Sequence, residues 1–270
     1  MIEYRNLHKT FDVPVLAGLS LTVETGEILG ILGPSGTGKS VLLKTTIGLI
    51  VPDRGDVFID GKSVFRSTRD ELQAIRRKVG YVFQNAALFD SMNVYENVAF
   101  GLPEGAAKSL GREEVVRKVS GALEDVNLDP DVVLAKMPSE LSGGMRKRVG
   151  LARAIVGQPE ILLYDEPVTG LDPINTAGID KLITDISVRT HVTSIVVSHD
   201  IEGALLVCDR VALLEGGRMH FIGTPDEFRN SEVKLVQAFA DRKAAAAAAR
   251  EMEAAMRGPA RATAIEENRT

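Results

Sequence analysis

Eight consecutive residues, Gly33-Pro34-Ser35-Gly36-Thr37-Gly38-Lys39-Ser40, fit the spacing G-x-x-x-x-G-K-[ST], which builds a cradle for phosphate. The glycines let the backbone curl until successive N–H groups point inward, and a helix starting there adds its dipole. Lys39 then reaches the terminal phosphates, and Ser40 offers a hydroxyl to magnesium. An acidic pair, Asp165-Glu166, ends the apolar run Ile161-Leu162-Leu163-Tyr164. Asp165 is placed to hold magnesium, directly or through water, and Glu166 to act as general base on an attacking water. Cradle and acidic strand end are the minimum for nucleotide hydrolysis.

That chemistry requires a strand before the cradle and a helix after it. The apolar run Ile28-Leu29-Gly30-Ile31-Leu32 predicts the strand, and residues 40 to 49 predict the helix. Ahead of them, Ile2-Glu3-Tyr4 and Leu19 to Val23 alternate with the period of strands, and Phe11 lies between. Residues 56 to 59 predict another strand, Asp60-Gly61 a tight hairpin, residues 68 to 78 a charged helix, and residues 79 to 83 a buried strand ending at Gln84. From Asn85 to about Gly157 the periodicity turns helical, which predicts a helical block inserted into an α/β core. Strand, helix and strand resume over residues 161 to 198, the last ending at His199, and residues 210 to 222 read as a closing hairpin. Thr224-Pro225-Asp226-Glu227 is a capping box, from which a helix is expected to run to about Arg257.

The composition of the 270 residues, 44% hydrophobic and 26% charged, is that of a soluble chain with a sizeable core. No apolar run approaches the roughly 20 residues of a membrane span. Met1-Ile2-Glu3-Tyr4-Arg5 carries no secretion pattern, and the single cysteine, Cys208, fits a reducing compartment, so a cytosolic chain is expected. A net charge of −5 disfavours a nucleic-acid partner. The clusters Arg76-Arg77-Lys78 and Arg146-Lys147-Arg148 read as solvated helix faces.

Leu141-Ser142-Gly143-Gly144-Met145 narrows the class. It resembles the LSGGQ signature of ATP-binding cassette (ABC) ATPases, ahead of a helix expected to begin near Met145. Ser142, the N–H groups of Gly143 and Gly144 and the helix dipole would form a second anion site. Gln84 then matches the Q-loop glutamine, Gly170-Leu171-Asp172-Pro173 the D-loop, His199 the switch histidine and Phe11 the base-stacking aromatic. The resemblance covers nearly all of residues 1 to 222. It implies a P-loop NTPase (RecA-like) α/β core over residues 1–84 and 158–222 with an antiparallel β subdomain. A helical signature subdomain over 85–157 and a C-terminal helical tail over 223–270 complete the expected domains. It implies ATP and Mg2+ as cofactors, with Gln84 joining Ser40 and Asp165 at the metal and His199 at the γ-phosphate. It also implies a homodimer in which each signature closes on the other subunit's nucleotide, with Asp172 at the interface.

Residues 86 to 98 and 137 to 145 further resemble the ATPases of Mla/Mce-type bacterial lipid transporters, whose signature likewise ends in Met. That resemblance implies a separate integral-membrane permease, a periplasmic Mce-domain lipid-binding protein, a small cytosolic regulator and a phospholipid cargo. The chain would sit peripherally on the cytoplasmic face of the inner membrane. The ATPase of an amino-acid or other small-solute importer would share every catalytic motif. A soluble ABC ATPase acting on nucleic acid or ribosomes is a further alternative, disfavoured by the charge.

Overall fold

Strands β1 (Ile2–Thr10), β2 (Pro14–Val23), β4 (Arg54–Ile59) and β5 (Lys62–Ser63) form an antiparallel sheet in the order β2-β1-β4-β5. Asp60 and Gly61, both at positive φ (49° and 75°), make the tight β4–β5 turn. A second sheet has the order β10-β9-β3-β8-β7-β6. It comprises β3 (Ile28–Leu32), β6 (Val79–Val82), β7 (Ile161–Asp165), β8 (Thr193–Ser198), β9 (Arg210–Glu215) and the antiparallel edge strand β10 (Arg218–Gly223). β3, β7 and β8 are buried at every residue, as parallel strands covered on both faces must be. The computed structural model describes residues 1–103, 105 and 109–241, which divide into a unit over Met1–Phe228 and another from Arg229 on.

Helix α1 (Lys39–Thr46) lies between the two sheets of the first unit. Its Leu42 and Leu43 share one buried cluster with Ile2, Leu7 and Val57 of the antiparallel sheet and with Ile31, Leu163 and Ile195 of the parallel one. Each such side chain contributes about 1.5–3 kcal/mol through burial. The helix that carries Lys39 and Ser40 is therefore fixed by the main core. The parallel register pairs Leu32 with Ser198 and Asp165 with Val197, so the cradle, the acidic pair and His199 leave the sheet along one carboxyl edge.

After α2 (Arg69–Arg77), which opens with a Thr68–Glu71 capping box, the segment between β6 and β7 holds α3 (Val94–Ala99), α4 (Arg112–Glu124), α5 (Pro130–Val133) and α6 (Gly143–Ile155). The short α5 is set up by Asp129, which caps it, and Pro130, which occupies its first position. α7 (Pro173–Thr190) and α8 (Ile201–Val207) flank β8.

Two sequence expectations are corrected. The arginine and lysine clusters are solvated only in part: Arg77 and Arg146 are exposed, but Arg76 donates to the carbonyls of Ile47 and Gly48 past the end of α1, Arg148 to Val126 and Lys147 to Gln84. Carbonyls left over at helix ends and turns need donors, and long cationic side chains supply them. The expected long helix from Thr224 stops early. Its capping box forms, but α9 (Pro225–Arg229) ends at Arg229, where Asn230 and Ser231 intervene. In the second unit a separate helical run covers 234–241, Ser231 accepting from the Val233 N–H ahead of it. The remainder of the expected helix, to about Arg257, lies outside the described residues.

Candidate active site

The cradle is closed on itself by its lysine. Lys39 Nζ, nearly fully buried, donates to the carbonyls of Gly33 (2.9 Å) and Pro34 (2.8 Å), and Thr37 Oγ1 donates to Pro34 as well (2.8 Å). Gly38 caps α1 at φ 98°, and a side chain there would meet the Val15 carbonyl at 2.7 Å. Only glycine combines that backbone angle with that proximity. Ser35 and Gly36 stand exposed at the tip, and Ser40 is the second residue of α1.

Asp165 is shared by two hydroxyls. Ser40 Oγ donates to Oδ1 at 2.7 Å, and Tyr81 OH donates to Oδ2 at 2.9 Å. Burial, followed by the Asp165 charge and the hydrogen bond to it, pushes the Tyr81 phenol well above its ordinary pKa, so it remains a donor. The oxygen-only donors at Ser40 and Asp165 fit a hard cation such as Mg2+. Among the described residues no cluster of three or more His, Cys, Asp or Glu residues forms a metal cage. That suits an ion held by one hydroxyl, one carboxylate, water and the substrate's own phosphates.

Glu166 adopts a left-handed conformation, φ 54°, with its N–H bonded to the Val197 carbonyl at 3.0 Å. In a continuing strand Glu166 would point away from Asp165; the left-handed turn brings its carboxylate within 3.8 Å of Lys39 Nζ. Such a backbone costs about 1–3 kcal/mol unless its surroundings hold it. Here Thr169 Oγ1 donates to Oε2 at 2.8 Å, and His199 Nδ1 lies in hydrogen-bond contact with the same oxygen. Burial pushes the Glu166 carboxyl up, but the hydrogen bonds from His199 and Thr169 and the charges of His199 and Lys39 outweigh it and leave the pKa lowered. An ionised Glu166 beside a lysine is suited to accept a proton from water.

Gln84 follows β6, its side chain exposed and its carbonyl held by Lys147 of α6. Arg153 of α6 donates to the carbonyls of Ala86 and Ala87, which both sit at positive φ. Phe11 is 56% exposed in the β1–β2 turn, with Lys9 Nζ 5.3 Å from its ring centre.

At the signature, α6 begins at Gly143, two residues ahead of the expected start near Met145. Ser142 is its N-cap, accepting from Met145 N–H at 3.2 Å. Asp172 likewise caps α7 through the N–H groups of Ile174 and Asn175, and it accepts from Asn175 Nδ2 at 2.6 Å. A Cβ on Gly144 would lie 2.5 Å from Asn175 Oδ1, so signature and D-loop touch side by side. Ser142, Gly143 and Asp172 are exposed, and Ile174 is 85% exposed.

Tyr81, Thr169, Lys147 and Arg153 were not picked out from sequence. The period of two along β6 and β7 was a usable signal for Tyr81 alone.

A core of parallel strands with a phosphate cradle, an acidic strand end and a capped glycine helix start defines an ATP-binding cassette. Residues 16–169 match the ABC transporter family model, and the chain belongs to that family. It is 42% identical to the probable ribonucleotide transport ATP-binding protein mkl of Mycobacterium bovis over 88% of this chain. That protein is longer, and this chain spans 66% of it. It is 39% identical to the intermembrane phospholipid transport system ATP-binding protein MlaF of Haemophilus influenzae, over 88% of this chain and 89% of that one. A dimeric ATP-binding cassette solved in a post-hydrolysis state with ADP and Pi superposes with a TM-score of 0.77 at 31% identity, over 83% of this chain and 99% of that one.

Proposed function

We propose that this chain is the ATP-hydrolysing subunit of an ABC transporter. The observation that carries the reading is the convergence of Lys39, Ser40, Asp165, Glu166 and His199 on one sheet edge. Lys39 leaves its loop carbonyls for the γ-phosphate, Phe11 stacks on the base, and residues 33–38 present backbone N–H groups to the phosphates. Ser40, Asp165 and Gln84 would hold Mg2+, which would supply positive charge to the transferring phosphoryl group. Glu166 takes the proton of the attacking water, and His199 orients Glu166 and contacts the γ-phosphate.

The helical block over 85–157 is the signature subdomain in this reading. Ser142, Gly143 and Gly144 bind the γ-phosphate held by a second copy, with Asp172 at the join, so the working form is a homodimer around two ATP molecules. ATP closes the pair by contacts made only when closed, and hydrolysis releases it. No helix among the described residues is long and apolar enough to cross a membrane. In this reading transport runs through a separate permease, which holds this subunit at the cytoplasmic face of the inner membrane.

For cargo we infer Mla/Mce-type phospholipid transport, with an Mce-domain partner and a small regulator. It rests on the Met-ended signature and on the likeness to MlaF, which spans most of both chains. A small-solute importer is the second reading. It is favoured by 41% identity to the sulfate/thiosulfate import protein CysA of Caulobacter vibrioides and 40% to the methionine import protein MetN of Carboxydothermus hydrogenoformans. Purification from the native membrane in mild detergent, with mass spectrometry of co-purifying subunits and lipids, separates the two. A permease with an Mce-domain protein and enriched phospholipid supports the first; a permease with a soluble solute-binding protein overturns it.

A further inference from the structure

We propose that Tyr81 is a positioning residue for the metal site: its hydroxyl fixes the Asp165 carboxylate in the orientation that Ser40 and a divalent cation require. The inference rests on the reading of Ser40 and Asp165 as the protein's metal contacts.

The geometry follows from strand register. β6 and β7 run parallel with Tyr81 opposite Leu163, and Leu163 and Asp165, two apart, share a face. Tyr81 therefore stands on the Asp165 face, which is the one covered by α1. Its ring packs against the buried cluster that holds Leu42, Leu43 and Leu163, and lies 4.5 Å from the Phe83 ring. The packed ring leaves the hydroxyl little choice of position, and it ends 2.9 Å from Asp165 Oδ2.

A carboxylate turns about its Cβ–Cγ bond unless both oxygens are engaged. Ser40 holds Oδ1 at 2.7 Å and Tyr81 holds Oδ2 at 2.9 Å, from two different elements, α1 and β6. The aspartate is thus locked between the helix that follows the phosphate cradle and the strand that leads into Gln84. Groups that orient a metal-binding carboxylate typically change metal affinity 10–100-fold when removed. Phenylalanine would keep the ring, its packing and its Phe83 contact while deleting only the donor.

The test is Tyr81→Phe in the full-length chain. Mn2+ affinity of the ATP-loaded protein is read by electron paramagnetic resonance, and ATP affinity is measured in parallel with EDTA. The expected result is about tenfold weaker Mn2+ binding. Metal-free ATP affinity should stay within about twofold, and the same substitution on an Asp165→Asn background should change Mn2+ affinity no further. Unchanged Mn2+ affinity in Tyr81→Phe overturns the proposal. So does an equal loss of ATP affinity with and without metal, which would mark Tyr81 as a packing residue. If the Asp165→Asn chain binds Mn2+ as tightly as the parent, the metal-site reading falls instead, whatever Tyr81→Phe does.

Discussion

The phosphate-cradle half of this molecule and its signature half are built in opposite ways. Around the cradle the lysine and the two carboxylates are buried and engaged: Lys39 with loop carbonyls and Glu166, Asp165 with Ser40 and Tyr81, Glu166 with Thr169 and His199. At the signature the polar groups sit on the surface, and an 85% exposed Ile174 stands beside them. A site that is internally satisfied holds its geometry without ligand. A helix start that faces outward, next to an exposed apolar residue, is half of something. The contrast supports division of labour: one half binds and hydrolyses, and the other completes the site of a neighbour.

Breaking the buried half has the largest expected effect. Lys39→Ala removes the cation closing the cradle and is expected to weaken ATP binding about 100-fold, as truncating a buried charged contact does; titration with a fluorescent nucleotide measures it. Glu166→Gln keeps the shape of the base but not its charge and should lower turnover by about 10²–10⁴-fold while leaving ATP affinity intact. Breaking the exposed half should do something different. In Gly144→Ala the new methyl meets Asn175, which is itself tied to Asp172. Turnover is expected to fall by about tenfold, with nucleotide binding to the isolated chain within about twofold. Equal losses in both quantities would abolish the contrast.

The smallest effect lies outside both sites, between α7 and α8. Asp180 of α7 and Asp200, the N-cap of α8, both lie against Gly203; a Cβ there would sit 3.0 Å and 2.9 Å from their oxygens. Burial, then the Asp200 charge, pushes the Asp180 carboxyl up to about 6. The folded state binds this proton more tightly than the unfolded one. Its contribution to stability is therefore full below the unfolded value near 4 and is lost as pH rises through about 6. Asp180→Asn should accordingly raise Tm at pH 8, by about 2 °C, with the gain shrinking toward pH 4 in thermal melts.

The contiguous features read directly from the chain: the cradle, the acidic pair, the signature and the parallel strands. They depend on short spacings and on apolar runs. The start of α6 falls two residues ahead of its expected place near Met145, because Ser142 caps the helix before its first apolar residue. Tyr81 and Lys147 act across pairings of 84 and 63 residues, and no local pattern states which strand or loop they will meet. The arginine clusters looked solvated because charge in a helix usually is; their carbonyl partners lie on other elements.

The central claim is that the exposed signature completes a second copy's buried site. The most direct test is the molar mass and nucleotide content of the Glu166→Gln chain by light scattering, with ATP and Mg2+ and again with ADP. The account predicts a dimer holding two ATP molecules that reverts to monomer in ADP. A monomer carrying tightly bound ATP and Mg2+ would contradict it.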